Sequence, residues 1–228
     1  MNQIAPGLSI EIYSDVVCPW CYVGKRRLER ALAAISPALP VRVTWRPFQL
    51  NPTMPEEGMD RTAYLEAKFG SLGAFRRLEE HVLAAGAAEQ IPFAFDRIAR
   101  TPNTFSAHRL IWYAERQGRQ DAVVESLFQG YFTEGADLGP LQTLVHLASR
   151  AGLDETAVAS FLQSEEGTSE VKAEGTAGHR LGIRGVPYFV LNRAYGISGA
   201  QPIEVFLSAI EQVRARQAAV AGGSTQGR

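Results

Sequence analysis

Cysteine is nearly absent from this chain: 228 residues hold two, Cys18 and Cys21, and histidine is almost as scarce, with only His81, His108, His146 and His179. Two cysteines cannot build the multi-bridge framework of a small disulfide scaffold. They can supply only two of the four ligands a zinc site needs, and none of the histidines lies at a tight ligand spacing, so no metal site is expected. An excess of charge of either sign is also missing. A formal net charge of -1 argues against broad attraction to nucleic acid or acidic membrane, so neither partner is expected. No stretch approaches the ~18 consecutive apolar residues that would span a bilayer. The opening "MNQIAPGLSIEIYSD" shows no basic region followed by an apolar run and a small-residue cleavage site, so the expected location is the cytoplasm. A permanent structural disulfide is disfavoured there.

What the sequence does contain is alternation at its two ends and helical periodicity between them. Residues 8–13, "LSIEIY", alternate apolar and polar and predict a strand ending at Ser14-Asp15. Helical spacing of Leu28, Ala31, Leu32 and Ile35 follows, fading near Ser36-Pro37. Residues 41–48 alternate again and predict a second strand. From 61 to about 181 the pattern is helical, in segments 61–69, 74–85, 103–117, 121–133, 140–151, 155–165 and 168–181. Asp154 is placed to cap one of these, and Gly118 and Gly152 to end their predecessors. "VPYFVLN" and "AYGIS", joined at Asn192-Arg193, predict a hairpin, and a closing helix runs from about Pro202 to Gln217. The order is β-α-β, a helical block, then α-β-β-α. The expected division is 1–58 with 167–218 as one discontinuous α/β domain, 59–166 as an inserted helical domain, and 219–228 as a disordered tail.

The two cysteines lie where the first strand turns into a helix, with Pro19 suited to the first helical position. As a staple the pair would close too short a loop to remove much unfolded-state entropy. As a reagent it uses every local feature. Orphan N–H groups and the helix dipole stabilise a thiolate at the helix start, which makes Cys18 the expected nucleophile. Cys21, one turn on, is the expected buried resolving thiol, and Pro19 and Trp20 tune the reduced form. Glu11 is either a buried carboxylate relaying a proton to Cys21 or a solvated group on an edge strand. Asp15 is expected to be a turn residue. The run Lys25, Arg26 and Arg27 either draws anionic thiols or is simply a solvated helix face.

A second signal is "GIRGVPYFVLN". Gly182 and Gly185 bracket a turn, and Val186-Pro187 enters a strand, where an X-Pro bond is a candidate cis peptide that would expose the Val186 backbone to an extended substrate. In "ISGAQP", Pro202 fits the first turn of the last helix. The backbone of Gly199, Ala200 and Gln201 then either presents N–H groups to a carboxylate or forms an ordinary helix start.

Strand-C-P-W-C-helix followed by helix-G-V-P-strand-hairpin-helix resembles the thioredoxin fold, and the helical block between the halves resembles the DsbA-like family. "SDVVCPWCYVGKRRLE", "WRPFQLNP", "TPNTFSAHRLIWYA", "GIRGVPYFVLN" and "ISGAQP" resemble its FrnE-type branch, related to 2-hydroxychromene-2-carboxylate isomerases. The resemblance implies an α/β thioredoxin-like fold with a large helical insertion acting as a lid, and a thiol-disulfide oxidoreductase with Cys18 and Cys21 as the redox pair facing Pro187. It also implies Asn103 near the site, and the γ-glutamyl end of glutathione near 199–201. Expected partners are protein or small-molecule disulfides and thiols, with glutathione as co-reductant and no bound cofactor, in a monomer or homodimer. The competing reading is a glutathione-dependent isomerase or transferase. Those relatives typically carry serine in place of the first cysteine, whereas this chain keeps both. C-P-W-C lacks the histidine of the periplasmic DsbA enzymes, so their oxidising power does not carry over.

Overall fold

The computed structural model describes residues 7–35 and 39–223. The first strand, β1 (Leu8–Ser14), buries Leu8, Ile10 and Ile12 and leads through a short loop into α1 (Pro19–Ala34). The predicted end of α1 at Ser36-Pro37 lies outside the described residues. Next comes β2 (Val41–Pro47), which runs parallel to β1. The helical block then brings α2 (Arg61–Phe69), α3 (Leu72–Ala88), α4 (Phe105–Arg116), α5 (Gln120–Gln129), α6 (Leu141–Arg150), α7 (Glu155–Gln163) and α8 (Thr168–Arg180). Within it, β3 (Met59–Asp60) and β4 (Arg100–Thr101) form a two-residue antiparallel ladder. The chain closes with β5 (Tyr188–Leu191), β6 (Tyr195–Ser198) and α9 (Ile203–Gly223). None of the described helices is long and apolar enough to cross a membrane.

The main sheet has the order β2-β1-β5-β6, with β5 antiparallel to both neighbours. Helices α1 and α9 pack together, while α4, α5 and α8 lie along β2. Local chemistry sets the boundaries. Asp60, Ser71 and Asp154 each accept a hydrogen bond from the backbone three residues on, at 2.9, 3.1 and 2.8 Å, and so start α2, α3 and α7. Gly118 and Gly152 take positive φ just beyond α4 and α6. Asn192 and Arg193 both take positive φ in the tight turn of the β5–β6 hairpin.

Three features depart from the sequence reading. The predicted helix at 121–133 is α5 plus a π-helical turn, Gly130–Glu134. The β3–β4 ladder is too short for any periodicity to reveal. The last helix continues through "AAVAGG" to Gly223, past the boundary set at 218, because Ala218, Ala219 and Ala221 favour helix. Residues 224–228 of the expected disordered tail lie outside the described residues.

Candidate active site

Cys18 is the N-cap of α1, with extended backbone (φ -95, ψ 108) and Pro19 in the first turn behind it. Its N–H donates to Asp15 O at 3.0 Å, and its carbonyl accepts from Cys21 N at 3.0 Å. Both thiols are free and buried. The Val186–Pro187 peptide bond is cis, and the Cys18 thiol donates to Val186 O at 3.5 Å. Strand–helix junction, both cysteines and the Gly-Val-Pro loop therefore meet at one point.

The two sulfurs have different surroundings. Cys18 lines a cavity of about 660 Å³ together with Pro19 and Trp20, under the faces that α2 and α3 turn inward. Trp20 is 36% exposed at its edge. Cys21 sits behind, away from the cavity. Burial pushes its thiol well above the ordinary range, contact with Cys18 adds to this, and bonds with Ser14 and the Asp15 backbone only partly oppose it. Cys21 is thus held protonated until something takes its proton.

The floor is fixed by a close approach. A Cβ on Gly24 would stand 3.0 Å from Pro187 Cγ and 3.1 Å from Phe189 Cζ, so any larger residue would push α1 and the cis-proline loop apart by a few tenths of an ångström. Gly24 was not singled out in the sequence, because a lone glycine inside a helical pattern reads as a tolerated weakness.

Several expected site residues are placed differently. Glu11 is not a buried relay: its carboxylate pairs with Arg46 Nε at 3.1 Å and both side chains keep contact with solvent. Nor does it lie on an edge strand, since β1 is interior to the sheet. The buried acid is Asp15, fully shielded from solvent. Its Oδ2 accepts from Leu50 N at 2.7 Å and its Oδ1 faces Nε2 of buried His108 at 3.4 Å. Asp15 is more than a turn residue, and His108, from α4, went unnoticed because nothing in one sequence pairs positions so far apart. Tyr131 borders the same region. Burial raises its hydroxyl to about 12, with Arg61 and Thr101 opposing and Tyr64 and Asp15 adding to the rise.

Asn103 does not line the cavity. Its amide nitrogen donates to Met54 O at 2.7 Å, and its oxygen accepts from Phe105 N at 2.9 Å, which ties the 50s loop to the start of α4. The backbone of Gly199, Ala200 and Gln201 is not a free set of donors either. Gly199 N bonds to Pro187 O at 2.8 Å and Gln201 N to Gly199 O at 2.9 Å, because the turn folds back on the cis-proline loop. Lys25, Arg26 and Arg27 are neither an anion lure nor a solvated face. Lys25 is buried against Glu29, Asp121 and Glu125, Arg26 bonds Glu29 and Glu125, and Arg27 reaches Glu89 at 2.9 Å and Ala200 O at 2.6 Å.

With this geometry in hand, residues 9–211 match the family model described as the DSBA-like thioredoxin domain. The chain is similar to the crystal structure of a probable DsbA oxidoreductase from Streptomyces coelicolor, at 38% identity and a TM-score of 0.83, covering 90% of this chain and 89% of that one. It is 27% identical over 203 residues to the uncharacterized protein YwbO of Bacillus subtilis, covering 88% of this chain and 94% of that protein. A 2-hydroxychromene-2-carboxylate isomerase shares the fold at 16% identity and a TM-score of 0.69, covering 93% of this chain and 98% of that one.

Proposed function

The chain belongs to the DSBA-like thioredoxin domain family, and we propose that it is a thiol-disulfide oxidoreductase that reduces or isomerises disulfides, with Cys18 as nucleophile and Cys21 as resolving thiol. The observation that carries this reading is the pairing of two free thiols, one lining a substrate-sized cavity and the other one helical turn behind it, away from that cavity. The resemblance of the sequence motifs to the FrnE-type branch points the same way.

In this mechanism the Cys18 thiolate attacks one sulfur of a substrate disulfide. The S–S bond breaks, the other sulfur leaves as a thiolate and takes a proton, and a mixed disulfide joins Cys18 to the substrate. Cys21 then loses its proton and attacks the Cys18 sulfur, which releases the second substrate thiol and leaves a Cys18–Cys21 disulfide. Two electrons have passed to the substrate. Two molecules of a thiol such as glutathione, themselves oxidised to the disulfide, restore the dithiol in a reducing compartment. Val186 O, which accepts from the Cys18 thiol at 3.5 Å beside the cis Val186–Pro187 bond, is the loop's backbone group nearest the attacking sulfur in this reading.

Insulin reduction and glutathione transfer, measured side by side, test the assignment. Cys18→Ser is expected to abolish insulin reduction. Cys21→Ala is expected to stop turnover while accumulating substrate trapped on Cys18, seen as a mass adduct. Intact turnover in Cys21→Ala would instead favour the glutathione-dependent isomerase or transferase reading. Titrating Trp20 fluorescence against glutathione ratios gives the direction of electron flow: a potential at or below roughly -200 mV fits a reductant, and one near about -120 mV an oxidant.

A further inference from the structure

Gly24 and Arg27 are three residues apart and share one face of α1, the face turned toward the cis-proline loop. Gly24 provides the close approach, and a Cβ there would also stand 3.6 Å from Ala200 Cβ. Arg27 provides the polar contact: its guanidinium donates to Ala200 O at 2.6 Å. Gly199, the neighbour of Ala200, donates its N–H to Pro187 O at 2.8 Å. The 199–201 turn and the cis-proline loop are therefore one bonded unit. Among the described residues, Arg27 is the only side chain of α1 that hydrogen-bonds to the turn.

The same guanidinium is held from the other side. Arg27 Nε donates to Glu89 Oε1 at 2.9 Å, and the Glu89 side chain is 5% exposed. Glu89 ends α3, the helix whose Phe75, Leu78 and Val82 roof the cavity over Cys18. That helix end is closed by Gln90 at φ 59 and by Ile91 N, which donates back to Gly86 O at 2.8 Å, so the carboxylate does not sit on a fraying turn. Burial works against its charge, but Arg30 and Arg27 outweigh burial and hold the carboxyl below its usual range. It stays ionised at neutral pH. Desolvation offsets much of the attraction in a buried ion pair, so the pair adds little net stability. What it adds here is a fixed geometry among α1, α3 and the turn.

We propose that Arg27 is a positioning residue for exchange: clamped by Glu89, it sets where the cis-proline loop stands relative to Cys18. The inference rests on the exchange reading above, in which Val186 O lies beside the attacking sulfur. Arg27 acts through Ala200 and Gly199 and not on the reacting sulfurs. Arg30 is the comparison, since it bonds the same carboxylate at 2.8 Å but is 59% exposed and makes no hydrogen bond to the turn.

Insulin reduction, Cys18 alkylation by iodoacetamide and urea unfolding, measured on the same full-length preparations, test this. Arg27→Gln is expected to lower kcat/KM for insulin reduction about tenfold, as loss of one charge-assisted hydrogen bond implies. Glu89→Gln keeps an acceptor but not the charge, and should lower it about threefold, because a charge-assisted bond is roughly twice as strong as a neutral one. Arg30→Gln should exchange at the parent's rate. Iodoacetamide presents no extended chain to the loop, so alkylation of Cys18, assigned by peptide mass, should be unchanged in all three. Alkylation falling in step with insulin reduction would reveal a general disturbance of α1 and overturn the proposal. Parental exchange in Arg27→Gln, or an equal fall in Arg30→Gln, overturns it as well. If Arg27→Gln does not unfold cooperatively in urea, Glu89→Gln decides, and parental exchange in that variant is equally fatal. A parent protein that is alkylated at Cys18 but reduces no insulin removes the exchange reading and the proposal with it, whereas an active parent with an equally active Arg27→Gln removes the clamp alone.

Discussion

Cys21 is a buried thiol, and that fixes how the protein's stability responds to alkali. Its folded pKa is raised by burial first and by Cys18 second, while in the unfolded chain a thiol ionises near 9.0. The unfolded state therefore sheds this proton first as pH rises. The stability Cys21 contributes is complete below about pH 9 and is lost above it, at about 1.4 kcal/mol per pH unit until its folded pKa is reached. Urea unfolding of the reduced protein between pH 8 and 10 should show this loss, and Cys21→Ser should lack that part of it. Identical slopes for the two proteins would mean that Cys21 is not the buried thiol described. The window closes near pH 10, because Tyr22 and Tyr131, both raised to about 12 chiefly by burial, begin to contribute in the same direction. The residue scale also shows where reading a single sequence stops. Alternation gives the side of β1 that Glu11 occupies, but only the fold brings Arg46, diagonally across on β2, to its carboxylate. Asp15 is read from its loop, whereas its burial comes from Leu50 and His108, which arrive from elsewhere.

Among the elements, the strands and long helices were legible because each carries several turns or alternations of one period. The exceptions are short, or depend on a neighbour. The edge strand β2 is the clearest case, since its outer side would leave backbone groups unpaired beneath α5. The side chain of Gln120 fills that gap, accepting from Trp45 N at 2.9 Å and donating to Trp45 O at 3.0 Å, in the manner of one residue of an added strand. Gln120 is itself buried, and nothing in its local sequence marks it as anything but the first residue of a helix. Gln120→Ala should cost about 1 to 3 kcal/mol in urea unfolding, the usual penalty for stranding buried polar groups. Gln120→Glu should cost more, since it removes the donor to Trp45 O and buries a charge. An alanine variant within roughly 0.5 kcal/mol of the parent, as for an ordinary surface change, would show that the edge is satisfied some other way.

Across the whole molecule, the question is whether the helical block is a lid on an independent α/β domain or part of one folding unit. The expected boundaries at 59 and 166 rest on a change of periodicity, which reports secondary structure and is silent about shared cores. One buried cluster contains Ile10 and Phe189 of the sheet together with Phe128 and Leu144 of the block. Tyr22, in the helix that carries the cysteines, stacks on Phe128 at 5.1 Å and donates to Glu125 of α5 at 2.9 Å. Buried Lys25 adds ion pairs to Asp121 and Glu125 at 3.2 and 3.0 Å, and although burial works against its charge, these carboxylates and Glu29 raise its pKa. Opening the block would therefore uncover the helix that positions Cys18, so the two regions should unfold together. Trp45 on β2 and Trp112 on α4 are buried reporters of the two regions. Variants keeping only one of these tryptophans should melt at the same temperature, coincident with loss of helix by circular dichroism. If Trp112 were lost first, with Trp45 retaining its native signal, the block would be a separate unit and the site helix would stand without it.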